Sequence, residues 1–184
     1  MAASAALRLD LPALRLASPV TFADGVRDHQ DEVYGVALRI TGDRDSAQDV
    51  TSATFLKAYR AFDRYDRSRP LRHWLLRIAT NEAISYVRKR GRDLRRSVAV
   101  EEAATVADAS AAPDAESLAR EERARIRAAV ARLPELYRVV IVLRYFNDLT
   151  VEEIAQVTSR PASTVGVQLL RGRALLRREL GGTR

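Results

Sequence analysis

The sequence predicts an all-α protein made of two small helical domains, and three observations lead to that fold class. Apolar residues recur at offsets of three, four and seven over most of residues 21–180, which is the spacing of one helix face. Only one segment is rich in β-branched residues, so a strand there would have no partner. Residues 97–119 carry acids but no Lys or Arg, and this change in composition separates the two domains.

Residues 1–20 are interpreted as a flexible leader that precedes the first helix. Arg8, Asp10, Pro12 and Arg15 interrupt the continuous apolar run that a signal peptide needs. No stretch of about 18 uninterrupted apolar residues occurs anywhere in the chain, so we expect no transmembrane helix and no membrane partner.

The first domain, residues 21–96, is predicted to contain three helices. Thr21 and Asp24 resemble a capping box, and apolar residues recur at helical offsets from Phe22 to about Ile40. After a corner at Gly42, a second helix runs to about Phe62 with acidic residues in its first turn.

The segment FDRYDRSRP ends that helix, and Pro70 is a suitable first residue for a third. Leu71, Trp74, Leu75 and Ile78 then form one apolar stripe of this third helix. Residues 97–117 are interpreted as a flexible acidic linker, because they lack the large apolar side chains that would offset the entropy cost of ordering them.

The second domain, residues 118–184, is predicted to be helical throughout. EERARIRAAVARL forms one helix, and Pro134 lies in the first turn of the next. Residues 139–143 are compatible with a buried strand by periodicity alone, but we favour a buried helix because the neighbouring segments are helical.

The pattern of the last two helices is typical of a helix-turn-helix. Thr150 and Glu153 form a capping box for a short helix to about Val157, and Pro161 opens a longer one. Val165, Leu169, Gly172 and Leu176 share one face of the longer helix; the opposite face carries Ser163, Thr164, Val167, Arg171 and Arg178. An ordinary pair of helices with a solvated basic face is the alternative.

The charge distribution favours a nucleic acid as partner. The net charge is +7, and nearly all basic residues are Arg, the side chain best suited to bidentate phosphate and guanine contacts. A second basic cluster occupies residues 72–96, next to a loop that contains Tyr65. Tyr65 is the better candidate for stacking on an unpaired base, because Trp74 lies on the apolar stripe of its helix.

Several function classes are excluded or disfavoured by composition. The chain has no Cys, which excludes disulfides and thiolate metal sites and fits a reducing, cytoplasmic location. Neither His29 nor His73 belongs to a metal-binding pattern, so we expect no metal and no cofactor.

Two blocks of this sequence, in this order, resemble the ECF (extracytoplasmic function, group 4) sigma factors, the small two-domain specificity subunits of bacterial RNA polymerase. The first block, DSAQDVTSATFLKAYRAF followed by RPLRHWLLRIATNEAISYVRKR, is similar to region 2 of that family. The second, ARLPELYRVVIVLRYFNDLTVEEIAQVTSRPASTVGVQLLRGRALL, is similar to region 4. The resemblance covers about residues 22–180 and is more specific than a lone helix-turn-helix.

The resemblance implies a sigma factor, not an enzyme, that binds core RNA polymerase and directs it to promoters. The first domain would bind polymerase and melt the minus-ten element, and its partners would include the melted non-template strand. The second domain would read the double-stranded minus-thirty-five element. The family often has an anti-sigma factor as a further partner, but nothing in the sequence identifies one.

The same resemblance implies three sets of site residues. The polymerase-binding set is Asp49, Ser52, Ala53 and Leu56. The minus-ten set is Asp63, Arg64, Tyr65, Arg67, Ser68, Arg77, Asn81, Arg88 and Lys89, with the loop holding a flipped base and the helix residues meeting the DNA backbone. The minus-thirty-five set is Ser163, Thr164, Gly166, Val167, Leu170, Arg171 and Arg173.

The chain departs from the family pattern at two places. Ser52 and Ala53 stand where members usually have Gln-Glu, and Gly166 and Gln168 stand at usually basic positions. Our hypothesis is that Arg171 makes the main base or phosphate contact and that Gly166 permits close approach of the backbone. Val167 or Leu170 would then touch a thymine methyl group.

Two alternatives remain at this point. The chain could be a DNA-binding regulator that never engages polymerase and dimerises through its N-terminal helices. It could also be a helical adaptor that binds only protein, in which case its arginines form solvated faces and its binding depends little on salt.

Overall fold

The computed structural model describes residues 21–97 and 115–181, and this part of the chain contains helices and no strand. The elements are α1 (Phe22–Thr41), α2 (Arg44–Ala61), a 3₁₀ turn (Phe62–Arg64), α3 (Leu71–Ser97), α4 (Ala115–Arg132), α5 (Glu135–Tyr145), α6 (Val151–Thr158) and α7 (Ala162–Gly181). The all-α prediction is therefore confirmed. The predicted leader and most of the predicted linker lie outside the described residues.

The first domain consists of α1, α2 and α3, which all pack on one another. The predicted capping box at the start of α1 is confirmed: Thr21 Oγ1 accepts a hydrogen bond from the Asp24 N–H at 3.2 Å, and Asp24 Oδ2 accepts one from the Thr21 N–H at 3.1 Å. Gly42 ends α1 with a φ of 90°, a left-handed conformation that glycine adopts without strain.

The second domain consists of α4 to α7. Residues 139–143 are all buried within α5, so the helical interpretation of this segment is confirmed. Pro134 lies one residue outside the prediction, at the N-cap of α5. The capping box of Thr150 and Glu153 starts α6, and Ser159, with φ 54° and ψ 41°, makes the sharp corner before α7.

The two domains pack against each other and share one hydrophobic core. Val36 and Ile40 of α1 belong to the same buried cluster as Val130, Val139 and Ile141 of the second domain. Val36, Ile40, Val139 and Ile141 are fully buried. The sequence analysis predicted two domains but not this contact.

Hydrogen bonds between the two domains stabilise their contact. Arg72 of α3 donates to both carboxylate oxygens of Glu32 on α1 and to the backbone carbonyl oxygen of Asn147, at 2.6 Å, in the second domain. The Asn147 side chain donates to Glu32 at 2.9 Å, which closes a three-residue network. Arg138 donates to the carbonyl oxygen of Ile40 at 2.6 Å. The helices that the structure describes include none long and apolar enough to cross a bilayer.

Candidate nucleic-acid interface

The predicted minus-thirty-five set lies along the exposed face of α7. The residues of the minus-thirty-five set are exposed, except for Gly166, which is half-buried. Val165 and Leu169 point the other way and are buried in the shared core. A shallow groove of about 340 Å³ runs along this face and is lined by Leu136, Tyr137, Ser163, Thr164, Val167, Gln168 and Arg171. The face therefore combines hydroxyl, apolar and guanidinium groups, which is the mixture that reads base edges.

Gln168 lines this groove but, unlike the residues of the minus-thirty-five set, it is buried. Only 7% of the residue is exposed, and its Oε1 accepts a hydrogen bond of 3.1 Å from Arg160 Nη1 in the corner between α6 and α7. Gln168 therefore holds an arginine at the corner between the two helices. At Gly166, by contrast, a Cβ atom would meet nothing within 4 Å, so the backbone there is open to close approach.

The loop between the 3₁₀ turn and α3 is organised by Asp66. Its Oδ1 accepts hydrogen bonds from the backbone N–H and the hydroxyl of Ser68, at 3.0 and 2.7 Å. These hydrogen bonds hold the pKa of Asp66 below its ordinary value. The Tyr65 hydroxyl donates to the carbonyl oxygen of Arg69, which fixes the ring at the edge of the loop.

Tyr65 and Trp74 form one wall of a small pocket. Their ring centroids are 5.0 Å apart, and Phe62 lies 6.0 Å from Tyr65 in a stacked arrangement. Trp74 is half-buried and packs on the core of the first domain, as predicted, but it also lines this pocket.

The pocket also has a wall from the second domain. Its lining includes Gln156 and Val157 of α6, so access to the ring of Tyr65 depends on how the two domains pack.

The exposed face of α3 carries the remaining minus-ten residues. Arg77, Asn81, Arg88 and Lys89 are all exposed. Arg88 is also held by the second domain: its Nε and Nη2 donate to the two oxygens of Glu135 at 3.0 and 2.9 Å. This contact with Glu135 raises the pKa of Arg88.

The exposed side of α2 carries the predicted polymerase-binding set. Asp49 and Ser52 are exposed, Ala53 is half-buried, and Leu56 is 50% exposed. Tyr59, one turn further, is 66% exposed and extends this apolar surface. An exposed apolar strip of this kind is typical of a protein-binding surface.

Sequence reasoning missed several residues of these surfaces. The pocket beside Tyr65 is also lined by His73, Gln156 and Val157. Glu135 forms an ion pair with Arg88. Tyr59 had a signal in the sequence, since it follows Leu56 at helical spacing. The others had none, because they come from segments far apart in the chain.

Comparisons with known proteins match both domains in order. The family described as Sigma-70 region 2 matches residues 26–93, and the family described as Sigma-70, region 4 matches residues 123–176. The chain is 36% identical over 166 residues to the ECF RNA polymerase sigma factor SigW of Bacillus subtilis (strain 168), which covers 86% of this chain and 88% of that protein. It is 34% identical over 161 residues to the RNA polymerase sigma-H factor of Pseudomonas aeruginosa, covering 84% and 83%.

Solved structures are similar in fold. The sigma factor RpoE, in complex with the anti-sigma factor NepR from Bartonella quintana, superposes with a TM-score of 0.70 at 22% identity and covers 89% of this chain and 98% of its own. CnrH, in complex with the cytosolic domain of CnrY, superposes with a TM-score of 0.63 at 27% identity and covers 89% of each chain.

Proposed function

Since the chain belongs to the ECF family of RNA polymerase sigma factors, we propose that its two helical domains divide the recognition of a promoter between them. The protein binds core RNA polymerase and directs promoter-specific initiation of transcription. The observation that carries this function is the ordered match to region 2 and region 4 along most of one chain. A DNA-binding regulator would need only the second of these regions, and a protein adaptor would need neither.

The second domain reads the minus-thirty-five element in this proposal. Thr164, Val167, Leu170 and Arg171 lie exposed on α7, where a recognition helix presents side chains to the major groove. Arg171 supplies the charged contact, and Val167 or Leu170 supplies an apolar contact to a thymine methyl group.

The first domain binds polymerase through α2 and holds the melted minus-ten strand through the loop and α3. Leu56 and Tyr59 provide exposed apolar area for the polymerase contact, in place of the Gln-Glu pair that Ser52 and Ala53 replace. Arg77 and Arg88 neutralise phosphates, and the ring of Tyr65 stacks on an unpaired base.

Catalysis stays with the polymerase, so this chain is a specificity subunit without an active site of its own. A cytoplasmic location follows from that role, because core polymerase and promoter DNA are its partners. CnrH, which is 27% identical, is in complex with the cytosolic domain of CnrY. This supports a further protein partner for the chain, and the family resemblance implies that it is an anti-sigma factor.

The direct test is transcription in vitro with purified core polymerase. Promoters are first identified by mapping transcript starts after induced expression, and the full chain is then added to core polymerase on one of them. We expect specific transcripts that neither component makes alone. Occupancy of the promoter by a dimer without any effect on initiation would favour the regulator, and binding that is insensitive to salt would favour the adaptor.

A further inference from the structure

A cavity of about 530 Å³ lies between the two domains, on the side where the corner between α1 and α2 faces α4. Its apolar lining comes from Leu38 of the first domain and from Val130 and Phe146 of the second. Three arginines, Arg39, Arg44 and Arg127, line the same cavity. None of them belongs to the polymerase-binding or DNA-binding sets, so the proposed function leaves them unused.

Arg39 lies half-buried beside the aromatic ring of Phe146. Its Nη1 donates to the carbonyl oxygen of Gly35 at 2.8 Å, and its guanidinium carbon lies 4.4 Å from the centroid of the Phe146 ring. Its Nε is buried and has no hydrogen-bond partner. A buried donor without a partner costs free energy, so the hydrogen bonds of the Arg39 guanidinium are not fully satisfied within the described protein.

The three arginines have no carboxylate partner among the residues that the structure describes. The acid that lines the cavity, Asp43, is already engaged. Its carboxylate accepts hydrogen bonds from the Ser46 hydroxyl at 2.6 Å, from the Ser46 N–H at 2.8 Å and from Arg90 at 2.6 Å. The positive charge of the cavity is therefore uncompensated on the protein side.

The arginines also repel one another across the domain boundary. Burial lowers the pKa of Arg39, and the charge of Arg127 lowers it further. Arg39 belongs to the first domain and Arg127 to the second, so packing the domains brings like charges together. An anion between them would turn this repulsion into attraction.

We propose that this cavity is a binding site for a small phosphate-bearing anion. Guanidinium groups bind phosphate oxygens in a bidentate manner, and a phosphate group carries up to two negative charges where a carboxylate carries one. Three arginines that line one cavity therefore fit phosphate better than they fit the side chain of an acidic peptide. The cavity volume lies within the range of small-molecule sites.

Binding at this site stabilises the packed arrangement of the domains. The cavity exists only while α1 and α4 are side by side, so the ligand binds that arrangement and not the separated one. In the packed arrangement Arg88 is held by Glu135, and Gln156 and Val157 of α6 line the pocket beside Tyr65. The anion consequently opposes the exposure of the DNA-binding surfaces.

The test uses the full chain, inorganic pyrophosphate as the probe and a fixed ionic strength. Binding is measured by calorimetry and by the shift in melting temperature for the wild type, Arg127→Gln, Arg44→Gln and the control Arg177→Gln. Arg44, Arg127 and Arg177 are all exposed, so the variants are expected to fold. Arg177 lies on α7 and does not line the cavity.

We expect saturable binding of one pyrophosphate by the wild type and by Arg177→Gln, and a dissociation constant roughly tenfold or more weaker in Arg127→Gln and Arg44→Gln. Equal weakening in all three variants would show a diffuse basic surface and overturn the proposal. Absence of saturable binding by the wild type would do the same. Binding of a glutamate hexapeptide that depends on Arg127, without binding of pyrophosphate, would assign the cavity to a protein partner instead.

Discussion

Arg171 is the residue on which the reading of DNA most depends in our proposal. It is exposed on α7 beside Val167 and lines the groove of that face. Arg171→Ala is expected to weaken binding to minus-thirty-five DNA by about 1–3 kcal/mol, because a bidentate contact is lost. Fluorescence anisotropy at constant salt measures the change, with Arg177→Ala as the control that removes an equal charge. Equal losses of affinity in both variants would show that Arg171 contributes only non-specific electrostatic attraction to DNA.

Gln168 affects stability in our interpretation, although its position in the sequence pattern is that of a DNA-contacting residue. Its buried side chain accepts the hydrogen bond from Arg160. Gln168→Ala is expected to lower the free energy of unfolding by about 1–2 kcal/mol, because a charge-assisted bond and its packing are lost. Leu170→Ala, which truncates a 61% exposed side chain, should change it by less than about 0.5 kcal/mol. Urea unfolding compares the two, and equal stabilities would contradict the buried role of Gln168.

At the scale of elements, α7 contains a matched pair of glycines in different surroundings. A Cβ at Gly166 would meet nothing within 4 Å, whereas a Cβ at Gly172 would lie 3.0 Å from Ile141 Cγ1 and 3.3 Å from Tyr137 Cβ. Gly166→Ala is expected to raise the free energy of unfolding by about 0.5–1 kcal/mol, because alanine favours the helix. Gly172→Ala should lose that gain, because overpacking between α5 and α7 costs about 1–3 kcal/mol.

The same pair separates stability from recognition. If Gly166 permits close approach to DNA, Gly166→Ala weakens minus-thirty-five binding while it stabilises the protein. Denaturation and anisotropy on one set of samples measure both effects. An alanine at position 166 that stabilises the helix and leaves DNA affinity unchanged would rule out the close approach.

The helices themselves could be predicted well because their signals are local. The capping boxes at Thr21 and Thr150 act within one turn, and both appear in the structure where the sequence places them. The predicted start of α5 was off by one residue: Pro134 is the N-cap and not part of the first turn, and proline suits both positions. The local pattern of the β-branched run in α5 fits either a strand or a helix. Residues 139–143 form a helix that is buried between the neighbouring helices.

At the scale of the whole molecule, the packing of the domains engages Arg88, to which we assign a phosphate contact. Arg88 cannot donate the same hydrogen bonds to Glu135 and to a phosphate. Glu135→Ala is expected to raise the affinity of the full chain for single-stranded minus-ten DNA by up to about fivefold, because an exposed ion pair contributes up to about 1 kcal/mol. The control is Glu122→Ala, whose carboxylate pairs within α4 with Arg125 at 3.4 Å. An equal gain in both variants would indicate a simple change of net charge.

The network around Glu32 predicts how pH affects the packing of the domains. Burial alone would raise the pKa of Glu32, but hydrogen bonds from Arg72 and Asn147 outweigh it and hold the pKa below its ordinary value of 4.5. A carboxylate with a lowered pKa stabilises the folded arrangement above its ordinary pKa, and this contribution is lost as the pH falls through the folded value. We therefore expect the domains to separate more readily as the pH falls below about 4.5.

Energy transfer between two labels can measure this separation. The chain has no Cys, so Ser85→Cys on α3 and Ala174→Cys on α7 introduce unique labelling positions, both exposed. Glu32→Gln in the same background removes the titrating group. An unchanged acid response in that variant would show that Glu32 does not control the packing.

The fold class and the family could be inferred from the chain alone, because periodicity, caps and motif spacing are properties of neighbouring residues. The site residues came from the family resemblance and stay predictions, and most of them lie on exposed faces. The contact between the domains depended on tertiary structure, since Glu32 meets Asn147 across 115 positions of sequence. No local pattern encodes such a pairing. For the same reason, the sequence alone could not predict the pocket that α6 and Tyr65 line together, the contact of Arg88 with Glu135, or the arginine cavity.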